Sequence, residues 1–128
     1  LTVQSAAQYL EGKGGVFVAS AGNDALALTD PNPASVLTVG ATDRGDQKTS
    51  WSNTGPIVDL AAPGIDVHTT VRGGSWGWWW GTSFSAPTVA GAAALVISAR
   101  PDLTPSQVRD CLVATARDLG EPGRDDLY

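Results

Sequence analysis

One long apolar segment, from Ser85 to about Arg100, constrains the fold of this chain most. It is rich in alanine and apolar on every side of a helical projection. A helix without a polar face is a buried helix. Pro87 is tolerated only in its first turn, where the missing N–H costs nothing. We therefore predict a central helix that other elements of a layered domain enclose.

Short apolar runs predict a sheet beside this helix. Val16–Ala19 and Val36–Ala41 are apolar on both faces, as is typical of strands inside a parallel sheet. Ile57–Leu60 is predicted as a third strand and Asp66–Val71 as a weaker fourth. The tryptophan-rich segment Trp76–Trp80 is predicted to form an extended arm or a hairpin.

Two further helices flank these runs. Val3, Ala6, Ala7 and Leu10 follow helical spacing and form one apolar face. Thr104-Pro105-Ser106-Gln107 is a capping box with proline at N1, which predicts a helix from Pro105 to about Asp118. The order of elements indicates an α/β fold with a mostly parallel sheet.

Composition excludes several classes of protein. The 128 residues suit one domain. A net charge of −5, with 8 basic and 13 acidic residues, argues against nucleic acid as a partner. The apolar run Phe84–Ala99 is shorter than the ~20 residues of a membrane span, so none is expected. The chain contains no methionine, which indicates a processed, trimmed or fragmentary polypeptide.

Ser83 stands between Gly81 and the start of the apolar helix. The free N–H groups and positive dipole of a helix N-terminus favour an oxyanion there, so this is a good place for a nucleophile. By itself the segment is better explained by Ser83 as a simple helix cap. The alternative G-x-S-x-G nucleophile elbow fits poorly, because Ser85 occupies the position of its last glycine.

Three blocks in a fixed order change this interpretation. They are Ala21-Gly22-Asn23-Asp24, Ala61-Ala62-Pro63-Gly64, and Gly81-Thr82-Ser83 followed by Ala86–Gly91. With these blocks the sequence resembles the C-terminal half of a subtilisin-like serine peptidase (a subtilase). The resemblance implies a partial subtilisin-like three-layer fold, with the buried helix following the catalytic serine, and extends over nearly all of residues 1–128.

The resemblance also implies roles for individual residues. Ser83 matches the catalytic nucleophile, and Asn23 matches the asparagine that donates to the oxyanion, with the backbone N–H of Ser83 as second donor. Substrate-binding positions are implied at Ala19, Ser20, Ala21, Gly22, Gly81 and Thr82. The tryptophans of Trp76–Trp80 are candidates for an apolar rim or for a surface that binds a partner protein. No cofactor or metal ligand is evident, although calcium is possible by analogy with the family.

The catalytic base is missing from this chain. The family orders its triad as Asp, His and Ser, yet the 22 residues before Asn23 contain neither aspartate nor histidine. A rearranged triad of His68 with Asp59 or Asp66 is disfavoured, because neighbouring strand residues point to opposite faces.

We therefore interpret residues 1–128 as the C-terminal half of a peptidase domain, inactive alone, whose partner is the absent N-terminal half. The implied substrate is a polypeptide, and the family default is an extracellular or cell-envelope location. The alternative is a pseudoprotease remnant that acts as a non-catalytic interaction module.

Overall fold

The computed structural model describes residues 2–128 and contains three helices and five strands within that range. In chain order the elements are α1 (Val3–Glu11), β1 (Phe17–Ser20), β2 (Val36–Thr42), β3 (Leu60–Pro63), β4 (Val67–Val71), β5 (Ser75–Trp79), α2 (Thr82–Ala99) and α3 (Pro105–Thr115). Helices on a parallel sheet confirm the predicted α/β class.

The first three strands form a parallel sheet in the order β1-β2-β3. All seven residues of the central strand β2 are buried. Its Leu37 and Val39 form the main hydrophobic cluster with Ala62 of β3 and with Ala86 and Val89 of α2. The first two predicted strands are thus confirmed, each within one residue of its predicted ends.

The third strand lies three residues later than predicted. Ile57–Asp59 precedes the strand, and pairing with β2 runs from Leu60 to Pro63. Val58 is buried without belonging to a strand, and its amide closes a turn onto the carbonyl of Gly55 at 2.9 Å. An apolar pattern marks burial, and here burial and strand pairing do not coincide.

The predicted central helix is present as α2, but it is buried on one side only. Ser85, Ala86, Val89 and Ala93 face the sheet, whereas Leu95 on the other side is 73% exposed. The all-round burial expected from the sequence is therefore wrong for this chain, because a three-stranded sheet covers a single face of the helix. By length and composition α2 would also suffice to cross a membrane, contrary to the expectation from Phe84–Ala99, although its inner face packs on the sheet.

Helix α3 begins at its predicted cap, and α1 begins after Thr2, a cap that was not predicted. Thr2 accepts the amide of Ser5 at 3.2 Å, and Thr104 and Gln107 form the complete capping box of α3. Helix α3 ends at Thr115, earlier than the predicted Asp118.

The strands β4 and β5 form an antiparallel hairpin, which confirms the hairpin alternative for the tryptophan segment. His68 on β4 packs between two tryptophans of β5, with ring centroids 5.5 Å from Trp76 and 4.7 Å from Trp78. The four tryptophans from Trp76 to Trp80 are all more than half exposed. They therefore lie at the surface rather than in the core.

Candidate active site

Ser83 lies exposed in the first turn of α2. The helix begins after Gly81, whose φ of +132° is strained for any residue with a side chain. The amide of Gly81 donates to the carbonyl of Gly64 at 2.7 Å, which ties the turn to the end of β3. The serine hydroxyl thus stands at the positive end of a helix on a fixed turn.

Asn23 reaches the same place from the loop that follows β1. Its Oδ1 accepts two hydrogen bonds from Thr82, one from the backbone N–H and one from the hydroxyl, both 2.9 Å long. Because a backbone amide can only donate, the side-chain atom that faces it is the oxygen. Thr82 Oγ1 in turn accepts the amide of Gly22 at 3.1 Å, so the hydroxyl that holds the Asn23 side chain is itself held in place.

The amide nitrogen of Asn23 lies nearer than its oxygen to the space beside Gly81. A Cβ built on Gly81 would lie 3.3 Å from Asn23 Nδ2 and 3.8 Å from the backbone nitrogen of Ser83. Two N–H donors therefore border the small space that the glycine leaves open. That arrangement is suited to a developing negative charge on a substrate oxygen.

The remaining predicted substrate-binding positions lie on β1, on the loop that follows it and at the start of α2. Ala19 and Ser20 end β1, and Ala21 continues the pairing through its amide, which donates to Val39 at 2.9 Å. Gly81 and Thr82 are buried, and the polar groups of Thr82 are engaged by Asn23 and Gly22. Contact of any of these positions with a substrate stays a prediction.

One residue that supports the site was not predicted from the sequence. Asn53, on the loop before β3, forms three hydrogen bonds to the loop that carries Asn23. It lies two residues before Gly55, a spacing that looks like an ordinary turn, and no local pattern could have linked it to Asn23.

Among the described residues 2–128, His68 has no carboxylate partner for a rearranged triad. Asp66 instead pairs with Arg44 at 3.8 Å, and Asp59 accepts the amide of Thr38 at 2.8 Å. His68 packs against tryptophans on the hairpin. Residues 2–128 therefore present Ser83 and two nearby N–H groups without a histidine hydrogen-bonded to a carboxylate.

Other charged features lie away from Ser83. On the far end of α2 a hydrogen bond from Arg100 lowers the pKa of Asp102 to about 2.

A cavity of about 410 Å³ lies between β3 and the C-terminal segment and has neither Ser83 nor Asn23 in its lining. Within the described range no three His, Cys, Asp or Glu side chains are grouped to hold a metal, and calcium stays a prediction from the resemblance.

Two solved structures with a similar fold are proteases. A lanthipeptide protease superposes with a TM-score of 0.86 and 29% identity, over 98% of this chain and 50% of its own. A cold-adapted subtilisin-like serine proteinase superposes with a TM-score of 0.80 and 37% identity, over 88% of this chain and 42% of its own. The fold is thus that of subtilisin-like serine proteases.

Sequence comparison agrees with the fold. The model of the subtilase family matches residues 2–128, and the chain belongs to that family. Subtilisin from Bacillus pumilus is 42% identical over 111 residues, which cover 82% of this chain and 40% of the relative. The chain therefore spans less than half the length of that subtilisin.

Proposed function

We propose that this chain is the C-terminal part of the catalytic domain of a serine endopeptidase. Ser83 attacks the carbonyl carbon of a peptide bond, and the carbonyl oxygen takes up negative charge. Asn23 Nδ2 and the Ser83 amide stabilise that oxygen, the amine leaves, and water then hydrolyses the acyl-enzyme. The substrate class is polypeptide, and the location is extracellular or in the cell envelope.

One observation carries this proposal: two N–H donors border the same space beside the exposed Ser83. Asn23 is fixed there by Thr82, 59 residues away in the sequence. Donors that are already in place need no reorganisation when the charge develops, which is the source of their effect on the barrier. A serine that only caps its helix does not require such a partner.

The proton transfer requires a base from outside residues 2–128. We assign it to a histidine and an aspartate of an N-terminal half. The assignment follows from the resemblance, because the family orders its triad as Asp, His and Ser and this order places both residues before Asn23. The same half would cover the exposed face of α2 around Leu95. Without the base the Ser83 hydroxyl stays protonated, and the isolated chain is inactive.

The test is covalent labelling of Ser83 by a fluorophosphonate probe. We expect little labelling of the isolated chain and rapid stoichiometric labelling of the longer protein that includes the N-terminal half. Ser83→Ala should abolish labelling, whereas Ser98→Ala, at an exposed serine on the same helix, should not. Fast labelling of the isolated chain would show that it needs no added base.

A second candidate function is a non-catalytic interaction module. The observation that favours it is the group of four exposed tryptophans, three on β5 and one directly after it, since large exposed aromatic patches are typical of protein-binding surfaces. The coding sequence upstream of Leu1 distinguishes the two functions. In-frame aspartate and histidine blocks support the peptidase, whereas a start codon directly before Leu1 supports the module.

A further inference from the structure

Asn53 is a buried polar residue whose side chain is fully engaged by the loop that carries Asn23. It is 5% exposed. Its Oδ1 accepts the amides of Asp24 at 3.0 Å and Leu26 at 2.9 Å, and its Nδ2 donates to the carbonyl of Ala21 at 3.0 Å. All three partners are backbone groups, so the side chain acts on the course of the main chain.

Backbone hydrogen bonds join the same two segments, 21–28 and 51–54. Gly22 O accepts the amide of Asn53, Trp51 O accepts that of Ala25, Leu26 O accepts that of Thr54, and Thr54 O accepts that of Leu28, with lengths between 2.8 and 3.0 Å. The segment 51–54 is therefore the support on which the Asn23 loop rests.

The three side-chain bonds fall on both sides of Asn23. Ala21 precedes it and Asp24 follows it, so the bonds restrain its backbone where it enters and where it leaves. Packing is close, because a Cβ on Gly22 would lie 2.5 Å from Asn53 Nδ2. The loop also holds Ala25 at φ +55°, a conformation that a non-glycine residue keeps only under restraint.

We propose that Asn53 is a positioning residue for the oxyanion donor Asn23. Thr82 sets the rotamer of the Asn23 side chain, and Asn53 sets the place of its backbone. An oxyanion donor must be held within about half an ångström of its working position, so loss of this support moves Nδ2 out of range. The inference rests on the proposed function, since it needs Asn23 to act on the reaction.

The kinetic test uses the longer, active protein and a double-mutant cycle. Asn23→Ala should lower kcat by roughly 10²–10³-fold with little change in KM, a magnitude measured for the oxyanion asparagine of a subtilisin rather than worked out for this chain. Asn53→Ala should lower kcat by about 10-fold or more, again at nearly constant KM, because oxyanion stabilisation acts in the transition state. In the Asn23→Ala background, Asn53→Ala should cost less than about 2-fold.

The controls separate positioning from general stability. Asn32→Ala removes a half-buried asparagine that bonds Asp59, away from the site, and should leave kcat unchanged. Asn53→Asp keeps an acceptor for the amides of Asp24 and Leu26 and loses only the donor to Ala21, so kcat should fall less than in Asn53→Ala, and this variant serves as the test should Asn53→Ala fail to fold. A full loss from Asn53→Ala in the Asn23→Ala background, or an unchanged kcat in the single variant, would overturn the proposal. An unchanged kcat in Asn23→Ala would instead overturn the oxyanion role itself.

A second readout needs no activity. In nitrogen-15 NMR spectra of the 128-residue chain, Asn53→Asp should shift the side-chain amide resonances of Asn23, and Asn32→Ala should leave them in place. Unmoved Asn23 resonances in the Asn53 variant would refute the positioning role even if the chain proved to have no peptidase activity.

Discussion

Two buried serines offer a matched test of how polar groups contribute to this fold. Ser85 on α2 is 0% exposed, and its hydroxyl has no hydrogen-bond partner among residues 2–128. Ser52 is 1% exposed, and its hydroxyl accepts the amide of Ala41 at 3.0 Å and donates to the carbonyl of Asn53 at 3.1 Å. Replacement of each by alanine removes the same atom from opposite hydrogen-bonding environments.

The expected changes in unfolding free energy have opposite signs. Burying a hydroxyl without a partner costs about 1–3 kcal/mol, and alanine is the better helix former by a few tenths. The substitution also removes the dispersion contacts of one oxygen atom, which costs roughly 1 kcal/mol and offsets part of this stabilisation. Ser85→Ala should therefore stabilise the fold by about 1 kcal/mol. Ser52→Ala leaves the amide of Ala41 and the carbonyl of Asn53 without the hydroxyl that bonds them, and should destabilise the fold by about 2–3 kcal/mol.

The assay is urea-induced unfolding followed by far-ultraviolet circular dichroism, with the midpoints compared at equal slope. The stabilised variant should also melt about 4 °C higher, as expected for a chain of this size. Equal losses in the two variants would refute the reasoning, as would a loss of more than 1 kcal/mol in Ser85→Ala. Either result would mean that the Ser85 hydroxyl is hydrogen-bonded in solution.

Three further predictions follow from single contacts. Thr82→Val removes the hydroxyl that bonds Asn23 and should lower the unfolding free energy by about 1–2 kcal/mol in the same urea titration. Leu95→Lys should leave the stability of the isolated chain unchanged, because the side chain is 73% exposed, but it should prevent binding of the N-terminal half in a pull-down. Arg100→Gln should raise the pKa of Asp102 from about 2 towards ~3.9 in a carbon-13 NMR titration. Since the folded pKa lies below the unfolded one, this pair stabilises the fold above about pH 4, and the effect is lost as the pH falls towards 2.

The fold could be predicted from the sequence where one local rule was sufficient. The capping box at Thr104 and the β-branched run of β2 specify their elements directly. The third strand was misplaced because Ile57 and Val58 satisfy the apolar pattern while serving a buried turn. The extent of burial of α2 was not predictable, because it depends on how much sheet is present to cover the helix.

The candidate site, like the fold, was predictable only where a local motif was sufficient. Ser83 and Asn23 were identified by motif, and the structure brings their donors to one space. The hydrogen bonds of Thr82 and the support from Asn53 join residues 27 to 60 positions apart. Such contacts follow from the packing of loops at one end of the sheet, and a single sequence carries no local signal for them.

The placement of the tryptophans has a consequence for optical experiments on this protein. The four on and beside the hairpin are more than half exposed, and Trp51 lies 5.2 Å from Trp80, directly before Gly81. Intrinsic fluorescence therefore reports on the hairpin and the approach to Ser83, while the core cluster around Leu37 is optically silent. An emission change on adding a peptide would signal events near the serine, and emission alone would be a poor measure of global unfolding.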